Sequence, residues 1–296
     1  MVIGCQACGL AFTAPRLAPS ELASWYPSEY YGEQCVRFNR LMEWAVAQFA
    51  RSRVRQLLQR PSGKVLDIGC GRGQSLEILR QAGWQVEGLE LSERAAEYAR
   101  NVLKLPVRLA PFDPADYPSE SFDAILLWHV LEHLPDAPGA LEGMVRMLRP
   151  GGVLLLAVPN LASTQAAWSR YGWFHLDLPR HVWHFRDEWL ATKLQSLGCE
   201  ILERRYDSLD QNAYGWIQSI LNRSGLEHNL LYDVLRRNSA RQHGSPWRRR
   251  PLAAALSVLG MFALAPVALA LVVLDAWRQR GATVEILARR LPTTTS

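Results

Sequence analysis

The sequence predicts an α/β protein with a doubly wound, mostly parallel sheet. Two observations indicate this fold class: short buried apolar runs alternate with helical segments, and a glycine-rich turn joins the first of these runs to its helix. KVLDIGCGRGQSLEIL (64–79) follows the order strand, turn, helix. WQVEGLELSERAAEYAR (84–100) repeats strand and helix, with Ser92 as the helix N-cap. Folds of this class bind ligands at the carboxyl ends of their strands.

The bulk composition is that of a globular protein. Of the 296 residues, 49% are apolar and 21% are charged, which suits one large domain with an appendage, or two small domains. The five cysteines show no disulfide-like spacing, and this favours a reducing compartment. The start of the chain, MVIGCQACGLAF, lacks the features of a signal peptide.

The positive charge is concentrated near the C-terminus. The chain has a formal net charge of +5, whereas residues 236–290 hold ten arginines against Asp275 and Glu285, a balance of +8. This leaves −3 for the first 235 residues. Since a folded domain that binds nucleic acid presents a basic surface, the sequence predicts no nucleic-acid partner.

The glycine-rich turn predicts a nucleoside site. Gly69, Gly71 and Gly73 lack a Cβ and allow both tight turns and close approach of a ligand. Glu90 ends the second strand about twenty residues further on, where a carboxylate can accept hydrogen bonds from both hydroxyls of a ribose. A dinucleotide-binding turn has its third glycine at position 74, and this chain has Gln74 there.

Three segments together resemble the class I S-adenosylmethionine-dependent methyltransferases. The turn follows the spacing D-x-G-x-G-x-G from Asp67 to Gly73. SFDAILLWHVLEHLPD (121–136) is similar to the family's fourth strand and its loop, and to ubiquinone-biosynthesis O-methyltransferases in particular. LRPGGVLLLAVPN (148–160) is similar to the turn into the fifth strand. The resemblance covers residues 64–160 and implies S-adenosylmethionine as the cofactor.

The resemblance also implies which residues contact the cofactor. The glycines would pass its methionine part, Asp67 would support the amino group, and Glu90 would hold the ribose. The family usually places an acid against the adenine, at a position where this chain has Pro111, so Phe112 and Asp113 are the expected substitutes. The full expected set is Asp67, Gly69, Cys70, Gly71, Gly73, Glu90, Leu91, Phe112, Asp113 and His129.

The family's fold is a Rossmann-like sheet of seven strands, in which the last strand runs antiparallel between the fifth and the sixth. CEILERRYDSL (199–209) fits the sixth strand, and GATVEILARR (281–290) has the alternation expected of the seventh. We therefore expect a hydrophobic helical insertion between the last two strands. The expected division is a knuckle or cap segment (1–34), the methyltransferase domain (35–212 and 281–291) and a membrane-associating insertion (213–280).

Candidate acceptor-side residues follow the fourth strand. His129, Glu132 and His133 lie within WHVLEH (128–133), and positions 129 and 133 share one face of a helical turn. The similar ubiquinone-biosynthesis enzymes place a metal-binding acid where His129 stands, so these three residues are candidate ligands of a divalent cation. The alternative is that Glu132 and His133 only anchor the loop by hydrogen bonds, which is favoured because two imidazoles suit magnesium poorly.

A second cluster, the lid segment FHLDLPRHVWHF (174–185), follows the fifth strand, where this family builds a lid over the acceptor. It is similar to a D-x-P-R-H-x-x-H-F run in one group of these methyltransferases. His181 and His184 are candidate general bases because imidazole titrates near neutrality, and Arg180 is able to grip a carboxylate or phosphate. Alternatively, Arg180 pairs with Asp177 to hold the lid shut, and His184 is structural. The predicted catalytic residues are His181, His129 and Arg180.

Cys5 and Cys8 form a C-x-x-C-G knuckle near the N-terminus. It resembles the second half of a small zinc ribbon that precedes some methyltransferases of this group. A structural zinc site needs four ligands, and Cys35 is single and distant. The pair is therefore a candidate zinc site, with a plain turn as the alternative.

An apolar run near the C-terminus predicts membrane association. Residues 252–274 carry no charge and would span about 35 Å as a helix. Because a single crossing would separate residues 281–290 from their sheet, we expect the run to enter and leave on one side. Gly260 and Pro266 allow a kink that gives two short arms within one leaflet, bracketed by Trp247 and Trp277. The alternatives are a buried helical cap and a dimer contact.

The sequence thus predicts an S-adenosylmethionine-dependent methyltransferase at the cytoplasmic face of a membrane. Its acceptor would be a small molecule or a lipid-linked intermediate, with O-methylation favoured. A nicotinamide-dependent oxidoreductase on a similar sheet and a non-catalytic scaffold at the membrane are the alternatives. The identity of the acceptor and the oligomeric state stay open.

Overall fold

The structure, a computed structural model, describes residues 1–17, 21, 48–236 and 246–292. In chain order, its strands are β1 (Val2–Gly4), β2 (Ala11–Thr13), β3 (Lys64–Ile68), β4 (Gln85–Glu90), β5 (Val107–Leu109), β6 (Phe122–Trp128), β7 (Leu148–Pro159), β8 (Trp183–His184), β9 (Cys199–Arg205) and β10 (Thr283–Arg290).

The helices surround two sheets. They are α1 (Arg55–Leu58), α2 (Gln74–Gln81), α3 (Glu93–Asn101), α4 (Ala137–Met147), α5 (Thr164–Ser169), α6 (Asp187–Ser196), α7 (Leu209–Arg223), α8 (Leu230–Leu235), α9 (Pro246–Arg249) and α10 (Pro251–Trp277). Within the described residues, four short 3-10 helices lie in the loops, at Pro114–Asp116, Leu131–His133, Arg170–Gly172 and Phe174–Leu176.

The large sheet has the strand order β5-β4-β3-β6-β7-β10-β9. Strands β3 to β7 pair in parallel, whereas β10 runs antiparallel to both β7 and β9. Leu287 of β10 lies opposite Leu155 on one side and Glu203 on the other. The predicted seven-stranded sheet with an antiparallel last strand is confirmed.

Both faces of the large sheet are buried, as a doubly wound fold requires. Alternate residues of β6 point to opposite faces, so Ile125 and Leu127 join one hydrophobic cluster while Ala124 and Leu126 join the other. All four are at most 1% exposed. The central strands are therefore apolar on both sides, and their polar residues are left at the strand ends, where the site lies.

A small second sheet has the order β1-β2-β8. The hairpin β1–β2 pairs with the two residues of β8, with Phe12 opposite Trp183. Since β8 belongs to the lid segment, the N-terminus lies against the acceptor side. Residues 18–20 and 22–34 of the predicted cap segment are outside the described residues, and the predicted domain division stays a prediction.

The chain between β9 and β10 forms a helical arm, made of α7 to α10. The apolar run is one continuous helix of 27 residues, about 40 Å long, and Pro266 lies inside it. The expected break into two short arms is therefore wrong. Helix α7 carries the chain away from the sheet and α10 packs against α7 on the way back, so no turn within the apolar run is required.

Candidate active site

The glycine-rich turn leaves β3 with three residues in the left-handed backbone region, and each glycine has a different reason. The φ angles of Gly69, Gly71 and Gly73 are +72°, +56° and +78°. A Cβ on Gly69 would lie 2.5 Å from the Val130 side chain, and one on Gly73 would lie 2.5 Å from Leu105. A Cβ on Gly71 would meet no described atom within 4 Å. Gly71 therefore faces open space at the carboxyl end of the sheet, where a ligand fits.

Glu90 ends β4 and is held beside this turn by backbone N–H groups. Its Oε2 accepts a hydrogen bond from Gly71 N at 2.8 Å, and its Oε1 accepts from Leu91 N at 2.9 Å and Ser92 N at 2.7 Å. The side chain is 4% exposed. A carboxylate fixed in this way has its orientation set before a ribose arrives, which lowers the entropic cost of binding.

Asp67 and Cys70 lie behind the turn. Burial, and then the charge of Glu90, raise the pKa of Asp67 well above its usual range. Burial also raises the pKa of the Cys70 thiol, and its Sγ packs close to the Cα of Gly88. The thiol is thus unsuited to act as a nucleophile, and it fills space behind the turn.

Leu91, expected in the cofactor set, and Phe112 and Asp113, expected near the adenine, lie at the carboxyl ends of β4 and β5. Leu91 is 72% exposed, and Phe112 is half-buried with its ring 6.4 Å from Tyr117. The carboxylate of Asp113 accepts a hydrogen bond from Ala115 N at 2.9 Å and so caps a 3-10 helix. The apolar side chains are placed to cover a flat ring, whereas Asp113 already has a local partner.

Sequence analysis missed Arg53, which lies just before α1. Its guanidinium forms an ion pair with Asp210 of α7 at 2.9 Å and lies 5.3 Å from the Trp128 ring at the end of β6. Its charge is close enough to Asp67 to oppose the rise in that pKa. No local motif marks Arg53, because its partner is 157 residues away in the sequence.

His129 follows β6 in a strained conformation, with φ at +55°. Its Nδ1 lies 3.2 Å from Glu132 Oε1, and its Nε2 lies 3.4 Å from Thr283 Oγ1. The ring stacks on His175, with centroids 6.1 Å apart. Non-glycine strain of this kind persists where the surroundings over-determine it, and here contacts from three segments hold one imidazole at the strand end.

Glu132 is the centre of the acceptor side. It is 0% exposed, and its Oε2 accepts no hydrogen bond from the described residues. Ligand-capable atoms of Glu132, His133 and His181 lie within 4.8 Å of one another. The structure therefore gathers a different trio from the predicted one, with His181 in place of His129. Two imidazoles and a carboxylate suit a transition-metal ion better than magnesium.

The lid segment places Arg180 and His181 side by side. Arg180 donates to Asp177 Oδ1 from both Nε, at 3.1 Å, and Nη2, at 2.5 Å, which is the structural alternative for this arginine. His181 is buried, and burial followed by the charge of His133 lowers its pKa well below the usual range. His181 is therefore neutral at physiological pH, the form in which an imidazole accepts a proton.

His175 was missed by sequence analysis. It is buried, and burial together with His129 lowers its pKa to about 3. His184 is buried too, with a pKa lowered to about 4 mainly by burial. The chain has seven histidines, and five of them lie around Glu132 or in the lid segment: His129, His133, His175, His181 and His184. The lowered pKa values of His175, His181 and His184 make these three rings neutral hydrogen-bonding groups on this side of the cleft.

Cys5 and Cys8 lie together in the turn of the N-terminal hairpin. Gly9 N donates to Cys5 O at 2.8 Å, which closes the knuckle, and both thiols are exposed. The backbone N–H of Cys8, and then that of Ala7, lower the pKa of Cys5. Cys35 lies outside the described residues. Zinc binding by this pair stays a prediction.

The geometry defines a protein class. An open doubly wound sheet, a glycine turn with room for a ligand and an oriented acid at the end of the next strand form the nucleoside site of such a fold. Residues 41–204 match the profile of a methyltransferase domain family. The match covers more than half of the chain, so the chain belongs to this family.

Relatives with assigned activities point the same way. The chain is 31% identical over 132 residues to the ubiquinone biosynthesis O-methyltransferase of Xanthomonas oryzae pv. oryzae. This match covers 42% of this chain and 55% of that protein. It is 32% identical over 103 residues to the protein of the same name from Alkalilimnicola ehrlichii, covering 33% and 42%. The matches thus span about half the length of these relatives.

Solved structures share the fold. The cyclase SpnF superposes with a TM-score of 0.52 at 18% identity, covering 84% of this chain and 82% of that one. A sarcosine dimethylglycine methyltransferase from Galdieria sulphuraria has a TM-score of 0.52 at 15% identity, covering 84% and 86%. The family match makes S-adenosylmethionine the expected cofactor. It also disfavours the nicotinamide alternative. The roles of individual site residues stay predictions.

Proposed function

We propose that the chain transfers a methyl group from S-adenosylmethionine to an oxygen of a membrane-associated or lipid-linked acceptor. One observation carries the membrane part of this proposal: helix α10 exposes a continuous apolar face. By length and composition α10 is able to cross a membrane, with a mean hydropathy of 2.5 over an 18-residue window that is only 17% buried. Exposed apolar surface of this extent marks an interaction site.

The two sides of α10 differ in their neighbours. Its buried side faces α7 and consists of small or short residues: Ala254, Ser257, Ala268, Val272 and Asp275. Its exposed side carries Leu256, Leu259, Phe262, Val267, Leu269, Val273 and Leu274. Trp247 and Trp277 stand exposed just outside the two ends, as tryptophans do at a membrane interface.

The packing of α7 favours a helix that lies in the plane of the interface. While one side of α7 contacts α10, the other contacts the methyltransferase body. Asn222 donates to Gly172 O at 3.0 Å, and Ser219 Oγ accepts from Phe174 N at 3.0 Å. The body thus lies alongside α10, and a crossing would draw its polar loops into hydrocarbon. An in-plane helix exposes only the apolar face to lipid.

The cytoplasmic face is part of the same proposal. Arg248, Arg249 and Arg250 precede α10, while Arg278 and Arg280 follow it. Arginines at both ends of an interfacial helix are placed to meet anionic headgroups, which are abundant on the cytoplasmic leaflet. The cysteines of the sequence, which show no disulfide-like spacing, agree with that compartment.

The helical arm is joined directly to the acceptor side. Trp216 of α7 donates to Asp275 of α10 at 2.8 Å, and its ring lies 5.7 Å from Trp168 of α5. Helix α5 leads within a few residues to the lid segment, and Phe174 of that segment packs against Tyr214 of α7. A lipid-linked acceptor held at the surface of α10 would thus lie beside the lid.

An oxygen acceptor is supported by two features. The matched relatives are named ubiquinone biosynthesis O-methyltransferases. In addition, the acceptor side offers neutral imidazoles and a buried carboxylate, groups that take up the proton which a hydroxyl must lose during methyl transfer. His181 and His129 are the proposed general bases, and Arg180 with its partner Asp177 holds the lid over them.

Vesicle flotation tests the membrane part. The wild type should float with vesicles of phosphatidylcholine and phosphatidylglycerol. The double variant Leu259→Glu/Phe262→Glu should stay in the soluble fraction, because it places two charges on the apolar face. The matched control is Val102→Glu/Leu109→Glu, which charges two exposed apolar residues of the methyltransferase body and should float like the wild type. Equal flotation of all three proteins would count against the proposal.

Transfer of labelled methyl groups tests the acceptor. Wild-type protein is incubated with methyl-labelled S-adenosylmethionine and either a lipid extract or the aqueous metabolite fraction. The label should appear in the lipid extract, as an ether that resists alkaline hydrolysis. Label confined to the aqueous fraction would contradict a lipid-linked acceptor. Cofactor binding without transfer to either fraction would instead support the non-catalytic scaffold.

A further inference from the structure

The N-terminal hairpin is built into the acceptor side of the cleft, although 168 residues separate Thr13 from His181. Strand β2 pairs antiparallel with β8, with Ala11 opposite His184. The pairing extends beyond β8, because Thr13 N donates to Val182 O at 2.9 Å. On the other edge, Val182 N donates to Glu132 O at 2.9 Å. The part of the lid segment that carries His181 and His184 is thus fixed between the hairpin and the loop of Glu132.

The Thr13 hydroxyl contacts both His181 and His184 of the lid segment. Its Oγ1 lies 2.5 Å from His181 O and 2.9 Å from His184 Nε2, and the side chain is buried. A hydroxyl has one hydrogen to donate, and a carbonyl oxygen only accepts. Thr13 therefore donates to His181 O, and the hydroxyl oxygen accepts from His184 Nε2. This fixes His184 as the tautomer that carries its hydrogen on Nε2.

The remaining contacts of His181 fix its ring. Its backbone N donates to Asp177 O at 3.1 Å, and its Nδ1 lies 2.9 Å from His175 O. Because that carbonyl only accepts, Nδ1 carries the hydrogen of the neutral ring. The unprotonated Nε2 then lies 4.0 Å from Glu132 Oε1 and 3.7 Å from Asp177 Oδ2. The main-chain carbonyl of His181 accepts the hydrogen bond from the Thr13 hydroxyl.

We propose that Thr13 is a positioning residue of the acceptor site: its hydroxyl holds the His181 carbonyl and the His184 ring so that His181 Nε2 stays directed at Glu132 and Asp177. The hairpin β1–β2 is then a working part of the methyltransferase site. This inference rests on the proposed function, in which His181 receives the acceptor proton. Thr13 touches neither cofactor nor acceptor and acts through His181.

Docking of the hairpin does not depend on the hydroxyl. Leu10 and Trp183 belong to the main hydrophobic cluster, and Phe12 packs against Trp183 with ring centroids 6.4 Å apart. The Arg16 guanidinium lies over the Trp183 ring at 4.4 Å. The replacement Thr13→Val preserves shape and these contacts and removes only the hydroxyl. It therefore separates positioning from folding.

Two variants and one control test the proposal. Thr13→Val removes the hydroxyl, and Thr13→Ser restores it without the methyl group. Val2→Thr is the matched control, because Val2 lies directly opposite Thr13 in the hairpin. It adds a hydroxyl to the paired strand, where Thr13→Val removes one. The circular dichroism spectra of all four proteins should superpose. Their affinities for S-adenosylmethionine, measured by calorimetry, should agree within about twofold, since none of the exchanges touches the glycine turn.

The first readout is the nitrogen spectrum of 15N-histidine-labelled protein. In the wild type, His184 should be the Nε2–H tautomer and His181 the Nδ1–H tautomer. Thr13→Val should shift His184 toward a tautomer mixture and move the His181 Nε2 resonance, while Thr13→Ser and Val2→Thr keep the wild-type pattern. Unchanged resonances in Thr13→Val would overturn the proposal. This readout needs no acceptor.

The second readout is methyl transfer to the lipid extract. Thr13→Val should lower kcat by about tenfold with little change in the KM for S-adenosylmethionine, and Thr13→Ser should recover most of the rate. Wild-type turnover by Thr13→Val would overturn the proposal. A wild type that transfers no methyl group defeats the proposed function instead, and the nitrogen resonances then still decide whether Thr13 positions the two rings.

Discussion

Gly71 and Glu90 are joined across the cofactor cleft by a hydrogen bond of 2.8 Å from the glycine N–H to the carboxylate Oε2. The bond links the turn after β3 to the end of β4, the two segments that a nucleoside must contact in this fold. The carboxylate thus fixes the glycine turn, and we expect its remaining lone pairs to accept hydrogen bonds from a ribose.

We expect Glu90→Gln to weaken S-adenosylmethionine binding by about 10- to 100-fold, the loss that follows when hydrogen bonds to a charged acceptor become neutral ones. Titration calorimetry measures the change. Glu87→Gln is the matched control, because Glu87 lies on the same strand and pairs with Lys64 at 3.1 Å instead of facing the cleft. Equal affinity of Glu90→Gln and the control would mean that the ribose binds elsewhere.

Alanine at Gly73 should mainly lower the stability of the fold, whereas alanine at Gly71 should mainly lower the affinity for the cofactor. Gly73→Ala adds a Cβ 2.5 Å from Leu105 and 3.3 Å from Ala99, so it should lower the melting temperature. Gly71→Ala adds a Cβ in open space, so its loss of stability should be limited to about 1 kcal/mol of backbone strain while its cofactor affinity falls. Calorimetric melting and cofactor titration on both variants give the comparison. The reverse ranking of the two variants would contradict this assignment of the turn.

The trio Glu132, His133 and His181 offers an alternative role for His181: if its Nε2 binds a divalent transition metal, His129 is left as the general base. Titration with Mn²⁺ should give one bound ion per chain in the wild type, and Glu132→Gln should weaken it at least about tenfold because an anionic ligand is lost. Glu142→Gln, an exposed acid on α4 that pairs with Lys193, serves as the control. If the wild type binds no ion, the trio is a hydrogen-bonding cluster that anchors the loop.

Acidification should destabilise the fold. The pKa values of His175 and His184 are lowered to about 3 and 4 by burial, so below pH 6.5 the unfolded chain takes up protons that the folded chain does not. Stability is therefore complete above pH 6.5 and falls as the pH is lowered, by about 2 kcal/mol for each histidine at pH 5.

Glu285 opposes this trend. Burial raises its pKa to about 7, so the folded state holds its proton between pH 4.5 and 7, and its contribution favours folding as the pH falls. Urea unfolding at pH 7.5 and pH 5 should show a net loss of stability in the wild type, a larger loss in Glu285→Gln and a smaller one in His175→Asn. A loss of the same size in all three proteins would show that other groups dominate.

Short-range patterns predicted where the glycine turn and Glu90 lie relative to each other, while their roles in cofactor binding stay predictions. The glycine turn and Glu90 lie within one strand-turn-helix-strand unit, where spacing along the chain translates directly into position. Long-range contacts were not predictable in this way. Arg53 is placed by Asp210, 157 residues away, and Thr13 by His181, 168 residues away, and neither pair has a local signal.

The apolar run illustrates a different limit. The sequence shows both its apolar composition and the need to return to the sheet, and it predicts a kink at Gly260 and Pro266 as the means of return. The structure uses a second helix instead, because α7 supplies the outward path and a packing face for α10. Sequence periodicity reports the environment of a segment but does not name its partner.

The position of β10 has a consequence for synthesis of the protein. Strand β9 has its only neighbour in the large sheet in β10, which is made last among the described strands, after the whole helical arm. During synthesis, β9 and the exposed edge of β7 must therefore wait until β10, which follows α10, has been made. The sheet is closed only after the whole helical arm exists, so a chain cut short within α10 would lack both β10 and a partner for β9.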